Sequence, residues 1–196
     1  TYRVPYDSLR ERPTRDLLHA AGRLPFGDTL DVFVVHFPSR RGGATLSEPY
    51  RLRAAGILRH LADSIARCRH TPRLLAMGDF NDEPHNASVS RVLAPTFAEL
   101  TSHATPLPAE GHDDIEGSYY FRGEWSRIDQ ILVSPTLLSP TMKFHTTLQS
   151  VHLLAFPPLL EPLSRGTLSK PFRTYLGPFY HGGISDHLPL CVDFSY

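Results

Sequence analysis

The stretch from Leu74 to Pro84, which reads LLAMGDFNDEP, constrains the fold more than any other part of the chain. It begins as an apolar run of strand length and breaks at Gly78, where polar residues follow. Buried strands that end this way deliver their polar residues to a sheet edge, where α/β proteins keep their sites. Asp79 and Asn81 stand two positions apart, so an extended backbone would point both side chains the same way. A carboxylate and an amide so placed suit a hard cation or a bound water, and an Asx turn closing the strand is the alternative.

Three further apolar runs carry histidine or aspartate at or near one end. These residues are His36 after the run from Val32, Asp129 within the run from Arg127 to Ser134, and Asp186 and His187 before the run from Leu188 to Phe194. Because polar residues at strand ends collect at one edge of a sheet, we expect the ends bearing His36, Asp79 and His187 to meet.

Four short motifs carry a family resemblance. They are H-F-P-S-R at 36–40, G-D-F-N at 78–81, R-I-D-Q-I-L-V-S at 127–134 and S-D-H at 185–187. In this order they resemble the endonuclease/exonuclease/phosphatase superfamily of metal-dependent phosphoesterases, which includes pancreatic-type deoxyribonucleases, abasic-site endonucleases, inositol phosphatases and sphingomyelinases. The resemblance implies an α/β fold. It would be half or more of a four-layer, DNase-like α/β sandwich, with a mixed sheet and helices on one face.

The resemblance also implies a metal site. Asp79 and Asn81 would hold the metal or the nucleophilic water, and Asp186 would be a metal carboxylate. An Asp–His couple with oxygen ligands for a hard cation suggests Mg²⁺, with Mn²⁺ as a substitute.

Two histidines complete the catalytic set that the resemblance implies. His187 would contact the phosphate or activate water, with the Asp129 carboxylate behind it to fix its tautomer and raise its basicity. His36 would be the second histidine, near the phosphate or the leaving group.

Arginines are the candidate substrate-binding residues. Arg40 and Arg41 stand in the loop after His36, where guanidinium groups suit phosphate oxygens, although a solvated loop would also contain them. Arg173 stands among the aromatics of P-F-R-T-Y, where it could contact a substrate ring or phosphate. Core packing explains those aromatics equally well.

One expected part of the family pattern is not found. The family has a metal-binding Glu on an early strand, before its equivalent of His36. Only about 35 residues precede His36 here, and Glu11 is the sole Glu among them, in a segment that does not read as a strand. We therefore expect residues 1–196 to be a single domain of this type whose N-terminal part is missing. That part would belong to the same chain or to another chain. Alone, this segment should be nearly inactive and should expose apolar surface on its sheet.

The apolar pattern predicts five strands and one long helix. We expect strands near 31–36, 73–77, 118–121, 128–133 and 188–194 to share one sheet. Ser47 is the expected N-cap of a helix that ends near Arg69. The segments 95–117 and 135–170 lack a clear period and are expected as loops, and the trio His112, Asp113 and Asp114 belongs to the first loop rather than to a metal site.

Composition limits the partners. The chain has 196 residues with 20 basic and 20 acidic side chains, so phosphate binding has to be local rather than a property of the whole surface. No apolar run reaches the roughly 18 residues that a membrane-spanning helix needs. Cys68 and Cys191 are expected to be buried free thiols.

Two functional hypotheses remain open. The first is a Mg²⁺-dependent phosphoesterase of nuclease or phosphatase type, with nucleic acid among its candidate substrates. The second is a non-catalytic binding domain, or an inactive fragment, that retains the shell of the site. Nothing in the pattern selects one phosphoester or one cellular compartment.

Overall fold

The computed structural model describes residues 1–2, 14–108, 114–163 and 169–196. The predictions that concern Glu11, His112 and Asp113 lie outside these residues. The described chain has a mixed α/β architecture, which confirms the predicted fold class.

A five-stranded mixed sheet carries the main part of the fold. Its strands lie in the order β1 (Leu18–Arg23), β2 (Thr29–His36), β3 (Arg73–Asp79), β8 (Asp129–Val133) and β4 (Ala98–Glu99). The central pair β2–β3 is parallel and the other neighbours are antiparallel. Strands β1 and β2 form a hairpin, because the backbone closes a turn from Leu24 to Asp28.

One long helix connects β2 to β3. This helix, α1, spans Ala44–Cys68, and its N-cap is Gly43, four residues before the predicted N-cap. The prediction of Ser47 as N-cap is wrong: Ser47 is buried inside the helix, where its hydroxyl donates to the Gly43 carbonyl. The helix buries Ala54, Leu58 and Ala62 against the sheet, as the 3.6-residue spacing predicts.

The main sheet packs a core on each of its faces. On the α1 side, Phe33, Val35, Leu74, Ala76 and Leu132 contact the helix and the π-helical turn Ser88–Leu93. These residues alternate along their strands with others that face the opposite side, as the two-residue repeat of a strand requires. Helical elements therefore cover one face, as predicted.

Among the described residues, the opposite face of the main sheet is covered at only one end. There, Leu75, Ile131 and Val133 pack against a second sheet of three strands, in the order β14 (Leu190–Val192), β9 (Val151–Leu154) and β5 (Thr105–Leu107). Nearer the His36 end, three paired residues of the same face remain partly exposed: Leu18 (46%), Val34 (36%) and Met77 (36%). The expected exposure of apolar sheet surface is thus present, and within the described part of the main sheet it is found in this row.

Three short hairpins complete the strand inventory of the described residues. They are β6 (Tyr119–Phe121) with β7 (Glu124–Ser126), β10 (Leu160–Pro162) with β11 (Ser169–Pro171), and β12 (Tyr175–Leu176) with β13 (Phe179–Tyr180).

The prediction of five strands in one sheet is therefore wrong for two of them. The strand at 118–121 pairs locally across Arg122 and Gly123 with β7, because both residues adopt the positive φ that such a tight turn requires. The strand at 188–194 joins the second sheet instead. The segments 95–117 and 135–170 also contain strands, contrary to the loop prediction, since short strands there pair with distant partners.

None of the helices in the described ranges is long and apolar enough to cross a membrane. Both cysteines carry free thiols, as predicted, but Cys68 is exposed and Cys191 is only half-buried, so the prediction of burial is wrong for Cys68.

A buried ion pair fixes the end of the main sheet that lies away from His36. Asp31 is fully buried, accepts two hydrogen bonds from Arg69 (2.8 and 2.9 Å), and lies 2.9 Å from His19 Nε2. Burial raises the pKa of Asp31, but the bonds to Arg69 and His19 reverse this, so the pKa is lowered overall.

We predict that Asp31→Asn lowers the free energy of unfolding at pH 7 by about 2 kcal/mol. This is less than the roughly 3–5 kcal/mol of a fully buried broken pair, because water reaches the Arg69 side. A lowered folded-state pKa gives stability that is present above the unfolded pKa and lost as pH falls through the folded pKa. Urea denaturation at several pH values should therefore show the wild-type advantage shrinking in acid. An advantage that grows in acid would contradict this account.

Candidate functional site

The parallel pairing of β2 with β3 brings the first two candidate site residues together. His36 and Asp79 are register partners at the ends of these strands, and His36 Nε2 lies 3.2 Å from Asp79 Oδ2. Gly78 permits this close pairing: it has φ +133°, and a Cβ there would collide with the carbonyl oxygen of Val35.

Asn81 reaches Asp79 through a turn rather than through an extended backbone. Its backbone N–H donates to Asp79 Oδ1 at 2.7 Å, so the Asx turn considered as the alternative is present. Asn81 has φ +50°, a left-handed conformation that Asn tolerates better than most residues. Its side-chain Nδ2 donates to Asp79 Oδ2 (3.0 Å) and to the Phe37 carbonyl (3.1 Å). The Asx turn therefore also holds the Asn81 side chain beside Asp79.

Asp129 and His187 form a second couple beside the first. Asp129 begins β8 and is the register partner of Asp79 across the sheet. Its Oδ2 lies 2.7 Å from His187 Nδ1 and accepts a hydrogen bond from the Ser118 hydroxyl at 2.5 Å. The sequence-based prediction that Asp129 bonds the His187 ring is confirmed. With Nδ1–H held by a carboxylate, the neutral ring keeps Nε2 as its acceptor.

Burial shifts the pKa of three groups in this cluster. It raises the pKa of Asp79, and the negative charge of Asp129 raises it further. It lowers the pKa of His36 by more than the charge of Asp79 raises it. Burial also disfavours the charged form of His187, but the hydrogen bond and charge of Asp129 outweigh it, so the pKa of His187 is raised. His187 therefore holds a proton to higher pH than His36 does.

These side chains line one open cavity of about 890 Å³. Every predicted site residue except Arg173 lies on its wall: His36, Arg40, Arg41, Asp79, Asn81, Asp129, Asp186 and His187. The predicted meeting of His36, Asp79 and His187 at one edge is thus confirmed.

The cavity also has a wall that the sequence analysis missed. Hairpin β6–β7 contributes Tyr119, Phe121, Glu124 and Ser126, and Ser39 contributes from the loop after β2. Tyr119 forms an isolated bridge with His187, and their rings lie 4.8 Å apart. The aromatic run at 119–121 was recognised as a strand, but only its pairing with the S-D-H segment shows that it faces the site.

Arg173 lies behind this wall rather than on the cavity. Its guanidinium lies 5.2 Å from the centre of the Tyr119 ring and donates to the Tyr120 carbonyl at 2.6 Å. The packing alternative for this segment therefore describes Arg173 better than contact with substrate does.

The oxygen atoms around the cavity are of the type that a hard divalent cation prefers. In the part of the chain that the structure describes, no group of three or more His, Cys, Asp or Glu residues is arranged to hold a metal ion. Mg²⁺ is, however, commonly held by one or two carboxylates plus water and substrate phosphate. The raised pKa of Asp79 shows that its charge is poorly compensated, which a cation would relieve. Asp79, Asp186 and the Asn81 amide oxygen thus fit such an ion in donor type.

We predict that Asp129→Asn lowers the pKa of His187 in metal-free protein. The substitution removes the charge and the carboxylate acceptor that raise this pKa, and it leaves the burial that lowers it. NMR titration of the imidazole measures the shift. Asp186→Asn is the matched control, because Asp186 is the weakest of the causes that raise the pKa. Equal shifts in both variants would contradict the assignment of Asp129 as the dominant partner.

Solved structures of similar fold come from both bacteria and animals. The TM-scores are 0.54 for a mannosyl-6-phosphatase of Bacteroides thetaiotaomicron, 0.57 for sphingomyelinase C of Streptomyces griseocarneus, and 0.58 for D. rerio TDP2 complexed with single-strand DNA product. Each is 16% identical to this chain. The matches cover 87%, 89% and 100% of this chain but only 52%, 56% and 66% of the respective structures. The chain therefore spans half to two thirds of the length of these structures, and the likeness shows a shared fold.

No curated protein matches the chain. The model of a family described as the endonuclease/exonuclease/phosphatase family matches residues 1–195, nearly the whole length. The chain therefore belongs to the endonuclease/exonuclease/phosphatase family.

Proposed function

We propose that this chain carries the site of a divalent-metal-dependent phosphoesterase, of nuclease or phosphatase type, that hydrolyses a phosphate ester by attack of water. The observation that carries the proposal is the convergence of two Asp–His couples, His36 with Asp79 and His187 with Asp129, on one cavity. Membership of a family of metal-dependent phosphoesterases supports it.

His187 is the proton-handling group of this proposal. Its Nδ1 is held by Asp129, so its Nε2 is the atom that exchanges a proton with the attacking water or contacts the phosphate. Asp129 is a positioning residue, and the Ser118 hydroxyl holds the same carboxylate oxygen. Because Tyr119 packs against the His187 ring, the imidazole is restrained from two sides.

The charge of the cavity explains why a cation is part of the proposal. Its wall carries the carboxylates of Asp79, Glu124, Asp129 and Asp186 against the guanidiniums of Arg40 and Arg41. With neutral histidines this wall would repel a phosphate anion. A bound Mg²⁺, or Mn²⁺ in its place, would neutralise the phosphoryl oxygens. We propose Asp79, Asn81 and Asp186 as the protein residues that would hold it.

We propose a phosphoester as the substrate and no narrower class. Structures of similar fold are named for a sugar phosphatase, a sphingomyelinase and a DNA-bound protein, so nucleic acid remains among the candidates. A chain with equal numbers of acidic and basic side chains favours a local phosphate contact over a long basic track. Hydrolysis therefore has to be tested on a monoester and a diester together.

We predict that the full-length protein releases p-nitrophenol from p-nitrophenyl phosphate or from bis-p-nitrophenyl phosphate when Mg²⁺ or Mn²⁺ is present. EDTA should abolish the release, and Asp186→Ala should raise the metal concentration required, because one carboxylate ligand is lost. Glu99→Ala, a change outside the cavity, is the control. Tight binding of inorganic phosphate without turnover of either ester would favour the non-catalytic binding domain instead.

We also predict that Asp129→Asn lowers kcat about 10²-fold while leaving the metal dependence nearly unchanged. The physical reason is that residues which orient a catalytic histidine typically contribute roughly 10- to 100-fold. Steady-state kinetics over a Mg²⁺ series separate the two effects. Equal losses of kcat and of metal affinity would instead identify Asp129 as a metal ligand.

A further inference from the structure

A buried cluster of charge lies directly behind the Asn81 turn and has no assigned role. It consists of Arg51 from α1, Asp82 from the turn after β3, and Arg40 from the loop after β2. Arg51 and Asp82 are each 2% exposed, whereas the Arg40 side chain is 33% exposed and reaches the cavity. Two buried charges of this kind carry a large desolvation cost, against which their mutual attraction and their hydrogen bonds to neighbouring groups act.

Asp82 contacts three other elements within this cluster. Arg51 Nε lies 2.7 Å from its Oδ1, and Arg40 Nη2 lies 3.6 Å from the same atom. Its Oδ2 accepts a hydrogen bond from the Ser88 hydroxyl at 2.7 Å, and its backbone carbonyl accepts one from Gln130 Nε2 at 2.9 Å. Asp82 is therefore held by α1, by the turn at Ser88 and by β8 at once.

Arg51 is itself anchored to the start of α1. Its Nη1 donates to the Ser47 hydroxyl at 2.7 Å and its Nη2 to the Ala44 carbonyl at 2.9 Å. This explains why α1 buries Ser47 and Arg51 on a face that is otherwise apolar. The helix thus supplies a fixed positive charge under the turn after β3.

Arg40 forms hydrogen bonds with the same turn from the cavity side. Its Nε donates to the Asn81 carbonyl at 2.7 Å and its Nη2 to Asn86 Oδ1 at 2.9 Å. Asn86 Oδ1 also accepts the backbone N–H of Glu83 at 2.8 Å. The donors of Arg40 that make these bonds are directed at residues 81–86 and not at the space where a substrate would lie.

The conformation that the cluster surrounds is one that needs support. Asn81 has a left-handed backbone, and such residues persist only where neighbouring contacts fix them. Its backbone N–H must also stay within reach of Asp79 Oδ1 for the Asx turn to form, and its side-chain amide donates to Asp79 Oδ2 and to the Phe37 carbonyl. Arg40 holds the carbonyl of Asn81, and Asp82 is the next residue, so the cluster fixes Asn81 on its C-terminal side.

We infer that Arg40, Asp82 and Arg51 are positioning residues that fix Asn81 against Asp79, and that Arg41 rather than Arg40 meets the substrate phosphate. The effect on kcat that this inference predicts rests on the proposed function, whereas the effect on the conformation of the Asn81 turn does not. It replaces the sequence-based prediction that both arginines bind substrate. Asp82 and Arg51 are not among the residues that line the cavity, and no motif in the sequence singles them out.

The test compares three variants with the wild-type full-length protein: Arg40→Gln, Asp82→Asn and Arg41→Gln. If Arg40 and Asp82 position Asn81, both substitutions lower kcat about 10²-fold, as expected for a displacement of roughly 1 Å at a site. They should leave KM and the inhibition constant of inorganic phosphate within about twofold of wild type. Arg41→Gln should instead raise KM and the inhibition constant of phosphate together, because it removes a phosphate contact.

Asp31→Asn is the matched control for stability. It breaks another buried aspartate–arginine pair, with Arg69, at the opposite end of the main sheet. It should lower the unfolding midpoint without changing kcat at temperatures well below that midpoint. If Asp82→Asn does not fold, Arg40→Gln decides alone, because the Arg40 side chain is partly exposed and its loss leaves the Arg51–Asp82 pair in place.

Hydrogen–deuterium exchange separates this inference from the proposed function. Backbone exchange over residues 79–87 should accelerate in Arg40→Gln and Asp82→Asn and stay at the wild-type rate in Asp31→Asn and Arg41→Gln. This result is required even if the wild type hydrolyses no phosphoester, in which case only the proposed function fails. Unchanged exchange in Arg40→Gln, or a raised phosphate inhibition constant with unchanged kcat, would overturn the inference and return Arg40 to substrate binding.

Discussion

The alignment of β2, β3 and β8 in one register is the constraint on which the site depends. His36, Asp79 and Asp129 are successive partners across these strands, so they form one row on one face of the sheet. A slip of a single residue in any strand would send its member of the row to the α1 side. Gly78 opposes such a slip, because only glycine fits beside the Val35 carbonyl at this point. The loop arginines and the Asn81 turn then follow from where the strands end.

This register places two carboxylates side by side, which is unfavourable in a half-buried position. The structure offsets the repulsion with different partners for each. Asp129 is hydrogen-bonded to His187 and Ser118. Asp79 accepts hydrogen bonds from the backbone and the side-chain amide of Asn81 and lies beside His36. The pKa of Asp79 remains raised in spite of these bonds. Perturbed carboxylates in a cavity are typical of functional sites, and here the perturbation has an identified structural cause.

Local pattern and motif were sufficient to predict much of the fold and of the candidate site. Strands β2, β3 and β8 and the buried face of α1 follow from apolar periodicity, and the cavity residues follow from the ends of those strands. The partner of the strand at 190–192 did not follow, because pairing between segments far apart in sequence leaves no local signal. Arg173 was misplaced for the same reason: its neighbour Tyr119 lies far from it in sequence. The strand at 119–121 pairs with the adjacent residues 124–126 instead of with the main sheet, across a turn at Arg122 and Gly123. The role of Arg40 depends on Asn86 and Asp82, whose positions are fixed only by the folded turn.

The exposed row of Leu18, Val34 and Met77 links the surface of the sheet to the chemistry of the site. Val34 and Met77 lie two residues before His36 and Asp79 on the same strands, so the apolar row and the polar row are neighbours on one face. A surface that covered both rows would remove water from the polar row as well as from the apolar row. Further loss of water would raise the pKa of Asp79 and lower that of His36, in the directions in which burial already shifts them. The same cover would lower the local dielectric and strengthen the attraction of Asp79 for a cation. Packing against both rows would therefore change the pKa of Asp79 and of His36 and the attraction of Asp79 for a cation.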